Sequence, residues 1–345
     1  MMRSTSRRFI VVVAVSLVML AALTAISPGV GSTPLRLTDA WRSLAHPEST
    51  AFAIAWQLRF ARALKALIAG ATLALCGAVF QTLFRNPLAT PHTLGMSAGA
   101  ALGALIAIKL NWVVSLGGIS SISLASLGGS LAVLAAIFAL ARSHARISGN
   151  TLLLAGVTIG FFCSGMMMFV TWLADVAQLH QTVRWMMGDL ETYGGVELKA
   201  LLPVVVPAWI ILLGYAPGLN QFDVGAEIAA TRGVHVARME VVLIFTGCVA
   251  VAAVASMCGP IGFVGLVIPQ LIRLLVGCDH RILLPAVLIN GAAFLLLCDF
   301  LTAMIPGWYA SITGQNTTSA QIPIGVMTAL IGTPVFILLL TRRKR

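Results

Sequence analysis

The sequence predicts an all-α polytopic membrane protein of about ten transmembrane helices, and three observations carry that prediction. The first is composition. Of 345 residues, 59% are hydrophobic and 10% charged, whereas a soluble domain carries about 25% charged residues. Mean hydropathy is +0.97. Second, apolar runs of about 20 residues, enough to cross a hydrocarbon core, recur from end to end. Third, basic residues crowd into alternate connections between these runs.

The spans are expected at 9–27, 62–84, 92–110, 118–141, 151–173, 197–216, 239–258, 261–277, 281–300 and 322–341. The first follows Arg3, Arg7 and Arg8, as a signal peptide would. Its run Phe9–Ile26 is longer than a signal core and further spans follow, so it reads as a transmembrane helix. With both termini inside, the inner segments hold Arg85, Arg142, Arg146, Arg232, Arg238, Arg273, Arg281 and the terminal clusters. These are 14 of the 22 basic residues, against four acids: Asp223, Glu227, Glu240 and Asp279. The positive-inside rule thus accounts for the net charge of +11, and no nucleic-acid partner is called for.

Several function classes recede. No acidic residue falls near the middle of an expected span; Asp175 and Asp299 sit at ends, and Lys65 and Lys109 near interfaces. Ion-coupled carriers use an intramembrane titratable group as the coupling device, so this counts against one. No GxxxxGK[ST] motif is present to bind ATP, and no nucleophile–base constellation points to an enzyme. The six histidines lack metal-ligand spacing, and the six cysteines form no CxxC pair and read as small buried hydrophobes. No metal or cofactor is expected.

Three segments stand out. Residues 259–273 pack Gly259, Gly262, Gly265, Pro260 and Pro269 into an apolar run ending at Arg273. Glycine costs about 1 kcal/mol and proline about 3 kcal/mol inside a helix, and broken backbone survives in lipid only under cover of protein or a water-filled cavity. The spacing of three also suits close helix packing, as does the row Gly95, Gly99, Gly103. Residues 85–95 place Pro87 and Pro91 four apart, which fixes a rigid non-helical crossing. Residues 217–240 form the longest inner loop, where Ala226–Arg232 fits a short helix stopped by Gly233.

Gly70–Gln81, Arg85–Gly99, Leu152–Gly156, Gly225–Val234, Gly259–Arg273, His280–Pro285 and Pro323–Phe336 together resemble the FecCD family of permease subunits. These are the transmembrane halves of type II ABC importers for iron-siderophores, haem and cobalamin. The likeness runs from about Arg59 to Phe336. It implies ten helices per subunit in a bacterial cytoplasmic membrane and a second permease subunit, the same or homologous. It also implies cytoplasmic ABC ATPase subunits and a periplasmic or lipid-anchored substrate-binding protein, which together with membrane lipid complete the partners. ATP hydrolysis would lie on the separate ATPase.

The resemblance assigns roles by position. Leu219, Gly225, Glu227, Ala229, Ala230 and Gly233 match an ATPase-coupling pair of short helices. Asn86, Leu88, Gly149 and Asn150 match a cytoplasmic gate, and Arg59 and Arg62 match residues that dock the binding protein. Gly259, Gly262, Gly265, Pro269 and Arg273 match a wall beside the pathway. The chain departs from the family pattern at Ala61, Gly149, Gln270 and Ala303, and Gln321 stands beside the position of a usual acid. An insertion near 304–320 is expected on the outer face, reshaping docking. The family's commonest substrate makes iron-siderophore the expected cargo, with haem or cobalamin as alternatives and an ion-coupled secondary carrier as a different class.

Overall fold

A chain in lipid must satisfy its own backbone hydrogen bonds, and this one does so almost entirely with helices. The computed structural model describes residues 2–31, 33, 35–112, 114–142, 149–192, 195–313 and 322–342. The chain begins with α1 (Met2–Ile26), α2 (Leu37–Arg42) and α3 (Thr50–Phe52), which runs through a π-helical stretch, Ala53–Phe60, into α4 (Ala61–Leu83). Next come α5 (Met96–Lys109), a hairpin of β1 (Ser115–Leu116) and β2 (Ile119–Ser120), α6 (Ser121–Arg142), α7 (Gly149–Trp172) and α8 (Val176–Met186). Then follow α9 (Val196–Gly214), α10 (Ala216–Val224), α11 (Ala226–Thr231) and α12 (Val236–Cys258). The last helices are α13 (Val264–Val276), α14 (His280–Thr313) and α15 (Ile324–Arg342).

Each expected span meets a helix. Among the described residues, seven helices are long and apolar enough to cross a membrane, and Met96–Lys109, Val264–Val276 and Ile324–Leu339 are shorter apolar ones. Most boundaries shift by a few residues from the sequence expectation, and four of the shifts bear on the site. The second span starts at Thr50 rather than 62, because Ser49 Oγ caps Phe52 N–H at 3.2 Å and the helix continues past Arg59 and Arg62. The third starts at Met96 rather than 92. Pro91 opens a 3-10 turn closed by a Thr90–Thr93 capping box, and Gly95 at φ +73° redirects the chain. The eighth starts at Val264 rather than 261. The ninth runs on to Thr313, so residues 304–313 of the expected insertion are helix, and 314–320 lie outside the described residues.

α4 is the central element, buried along nearly its whole length and packed against α9, α12, α13 and α14. α5 packs on α6 and α7, α1 on α14, and α15 on α13 and α14. Water is absent from both sides of a lipid-embedded interface, so close approach and interhelical hydrogen bonds hold it rather than hydrophobic burial. Glycine faces glycine at several crossings, among them Gly70 on Gly291, Gly77 on Gly265 and Gly99 on Gly129. Ser16 Oγ donates to Asn290 Oδ1 at 2.8 Å, tying α1 to α14, and Trp209 Nε1 donates to Thr72 Oγ1 at 3.0 Å, tying α9 to α4. Five cysteines are buried as expected; Cys278, in the turn before α14, is exposed.

The Gly77 crossing sets a measurable limit. A Cβ there would lie 2.0 Å from Gly265 O, so Gly77→Val forces α4 and α13 apart at a cost of about 2 kcal/mol or more. Thermal unfolding in detergent should show a clear loss for Gly77→Val. Gly128→Ala, which enters open space on α6, should show none.

Candidate functional site

Two of the helices that meet expected spans, α5 and α13, are too short to cross alone. α5 and α13 have 14 and 13 residues, or about 20 Å at 1.5 Å per residue, against a hydrocarbon core of about 30 Å. Non-helical backbone at 84–95 and 259–263 supplies the rest, and the two stretches meet. His92 Nε2 lies 2.7 Å from the Ile261 carbonyl, and Ser97 Oγ lies 2.5 Å from His92 Nδ1. A carbonyl only accepts, so Nε2 carries the proton and Nδ1 accepts from the serine.

The 259–263 link is shaped by its surroundings. Gly259 adopts φ +67°, ψ −176°, a conformation open only to glycine, and a Cβ there would lie 2.6 Å from Trp185 O. Phe263 also has φ +67°, unusual for an aromatic residue. It is accommodated because Gly332 of α15 leaves room for its Cβ. Asp189 N–H donates to the Cys258 carbonyl at 2.9 Å, so the end of α12 is satisfied. The expectation of three glycines on one helix face is corrected here. Gly259 and Gly262 lie in the link, a Cβ on Gly262 would meet nothing within 4 Å, and only Gly265 packs on α4.

Pro269, buried inside α13, has no N–H to offer the Gly265 carbonyl four residues back. Gln81 of α4 fills the gap: its Nε2 donates to Gly265 O and Leu266 O, each at 3.3 Å. The Gln81 Oε1 accepts from Gln270 Nε2 at 3.0 Å and Arg273 Nη1 at 3.1 Å. Arg273 Nη2 donates to Thr82 Oγ1 at 3.0 Å and to the Ala78 carbonyl at 3.3 Å. One amide side chain thus joins the proline break to the end of α13.

At the same end, α10 and α11 form a pair of short helices jointed at Gly225. Leu219 and Phe222 are buried against the bundle, as is Ala229, whereas Glu227, Ile228 and Ala230 are exposed. Gly233, at φ +85°, ends the pair, and an open groove of about 590 Å³ lies beside it, between Ala230 and Arg238. Arg85 Nη2 donates to Phe222 O at 3.1 Å, and its guanidinium sits 5.1 Å from the Phe222 ring centroid. Asn86 Oδ1 accepts from Leu88 N–H at 2.9 Å, which closes the turn and leaves Leu88 exposed. Gly149 and Asn150 begin α7; their side chains lie outside what is described. Asn220 Nδ2 donates to Asp279 Oδ1 at 2.7 Å and holds that carboxyl below the usual carboxylate range. Burial pushes the Asp223 carboxyl up, with Arg273 and Arg85 opposing.

The opposite end holds a second cluster, around a cavity of about 530 Å³ lined by Ser27, Arg59, Arg62, Thr192, Glu197 and Asp299 among others. Arg62 Nε donates to Asp299 Oδ1 at 2.7 Å, and both side chains are largely buried. Arg59 donates to the carbonyls of Pro28 at 3.1 Å and Thr33 at 2.5 Å. Lys65 Nζ, 2% exposed, contacts Glu197 Oε2 at 2.5 Å and Glu191 O at 3.0 Å. Asp299 therefore stands inside a helix, not at the end where the sequence reading put it. α14 continues past 300, and the helical run that leads into α4 begins at Thr50 rather than 62.

Sequence reasoning passed over Gln81, Thr82, Asn220, His280, Glu197 and the pairing of Arg62 with Asp299. The available signal was polar residues on an otherwise apolar α4 together with a downstream proline that strands a carbonyl.

A bundle of apolar helices with two mutually covering backbone breaks, and polar clusters at both ends, is the architecture of a polytopic membrane protein. The sequence profile of the FecCD transport family matches residues 18–342, and the chain belongs to that family. It is 37% identical over 295 residues to the cobalamin import system permease protein of Halobacterium salinarum, covering 86% of this chain and 75% of that one. Over 292 residues it is 37% identical to the vitamin B12 import system permease protein of Salmonella typhi, covering 84% of each. Among solved structures, an inward-facing metal-chelate type ABC transporter superposes with a TM-score of 0.80 at 30% identity, covering 96% of this chain and 99% of that one. The protein is a permease of a type II ABC importer.

Removing one member of a buried ion pair strands the other, at about 3–5 kcal/mol. Asp299→Leu should therefore lower the detergent unfolding midpoint sharply. The double variant Arg62→Leu/Asp299→Leu should recover most of the loss, a pattern that a double-variant thermal series checks directly.

Proposed function

We propose that this permease carries a cobalamin-type corrinoid across a bacterial cytoplasmic membrane by alternating access driven by ATP on a partner. The observation that carries the substrate is the naming of its relatives: proteins 35–37% identical over most of their length are cobalamin or vitamin B12 permeases. The iron-siderophore expectation gives way to this. A metal-chelate cargo is the second reading, favoured by the solved neighbour with a TM-score of 0.80.

In this reading both termini and the 84–95 and 215–235 connections face the cytoplasm, where positive charge gathers. The exposed side of α10 and α11, with Glu227, Ile228 and Ala230 beside the open groove, receives the ATPase. Leu219 and Ala229 hold that pair to the bundle rather than touching the partner. Asn86 and Leu88, with Gly149 and Asn150, border the cytoplasmic gate. Arg59, which has no acidic partner among the described residues, meets the binding protein on the outer face. Arg62 acts there through its hold on Asp299. A second copy or a homologous subunit completes the pathway, and Gly259–Arg273 serves as its moving wall.

Proteoliposomes holding the permease, its ATPase and its binding protein should accumulate labelled cyanocobalamin only with ATP inside. Accumulation of a labelled ferric chelate and not cyanocobalamin would establish the second reading. Accumulation without the ATPase would contradict the importer class.

A further inference from the structure

The hydrogen bonds around Pro269 do not stop at α13 and α4. Thr82 Oγ1, which accepts from Arg273, lies 2.9 Å from His280 Nε2 at the first residue of α14. His280 Nδ1 lies 2.9 Å from Asn220 Oδ1 of α10, and the same oxygen accepts the His280 backbone N–H at 2.8 Å. Thr82 and His280 are 4% and 0% exposed, so water does not compete for these bonds.

The partners fix the direction of the chain. Asn220 Oδ1 only accepts, so His280 Nδ1 carries the ring proton and Nε2 accepts from the Thr82 hydroxyl, whose proton is shared with the more distant Ala78 carbonyl at 3.1 Å. That frees the Thr82 lone pairs for the Arg273 guanidinium. Donors and acceptors thus align head to tail: Arg273 of α13, Thr82 of α4, His280 of α14, Asn220 of α10. Chains of this kind polarise one another, and in a low dielectric a broken link leaves an unmet buried group. A rigid link of this sort transmits a displacement; an apolar contact lets one surface slide over another.

We propose that His280 is a positioning residue that couples movement of the α10–α11 pair to the Pro269 segment of α13. The proposal rests on the importer reading, in which that pair receives the ATPase. When α10 shifts, Asn220 draws the first turn of α14 through His280. Thr82 and Arg273 then pass the shift to Gln81, which holds the carbonyls stranded above Pro269. Leu219 and Phe222 supply the apolar seat, and the polar chain supplies the direction.

The test uses the assembled importer with spin labels at Val224→Cys and Leu274→Cys, both exposed, in a Cys278→Ser background. His280→Ala and the near-isosteric Thr82→Val, chosen because it preserves packing, are compared with the parent. Both variants should widen the distance distribution between the labels about twofold. They should also cut substrate imported per ATP hydrolysed about tenfold, with ATPase association unchanged. An unchanged distribution, or unchanged import per ATP, in both variants overturns the assignment. If the parent complex hydrolyses ATP without importing anything, the importer reading falls; the label distances then still decide whether His280 links the two segments.

Discussion

The Gly265 carbonyl, deprived of its helical partner by Pro269 and met by the side-chain amide of Gln81, is the contact on which this architecture turns. In water a proline break is satisfied by solvent. In hydrocarbon it must be satisfied by protein, or the helix does not persist. That requirement places a glutamine on the neighbouring helix and demands that the helix come close enough for it to reach. Gly77 and Gly265 allow the approach, because neither carries a side chain between the two backbones. Close packing and the polar cluster are therefore one arrangement.

The same logic explains why α4 lies at the centre. It supplies Thr72 to α9, Gln81 to α13 and Thr82 to both α13 and α14, and at its other end Lys65 and Arg62 pair with acids from elsewhere in the chain. Each polar group on α4 has a partner on another element, which gives an apolar bundle unique crossings that non-directional packing would not specify. The two backbone breaks, at 84–95 and 259–263, sit against this column and cover one another through His92 and Ile261. Strain held at Phe263 is sustained by the glycine opposite it.

Much of this was legible in the sequence because the bilayer imposes a single period. Ten apolar runs became ten helices, and the short helix before Gly233 was visible from its stop signal. What escaped were features set by tertiary partners. Arg59 and Arg62 stood beside the expected start of the second span as matches to docking residues, yet carbonyls and Asp299 satisfy them beside a cavity, and the helix runs past them. Asp299 looked terminal, yet α14 continues to Thr313. The regular spacing of Gly259, Gly262 and Gly265 suggested one helix face, but Pro260 and the φ values at 259 and 263 take the first two out of the helix. Spacing reports a face only where the backbone is known to be helical.

The class of protein follows from the fold and the family together, and the proposed substrate rests on relatives alone. Its own chemistry lies in how the break at Pro269 is held. Hydrogen–deuterium exchange on the Gln81→Leu variant tests that most directly. If the Gln81 amide holds the segment, exchange across Val264–Val276 should quicken by about tenfold or more, while α9 keeps its protection. Unchanged protection across α13 would contradict the account.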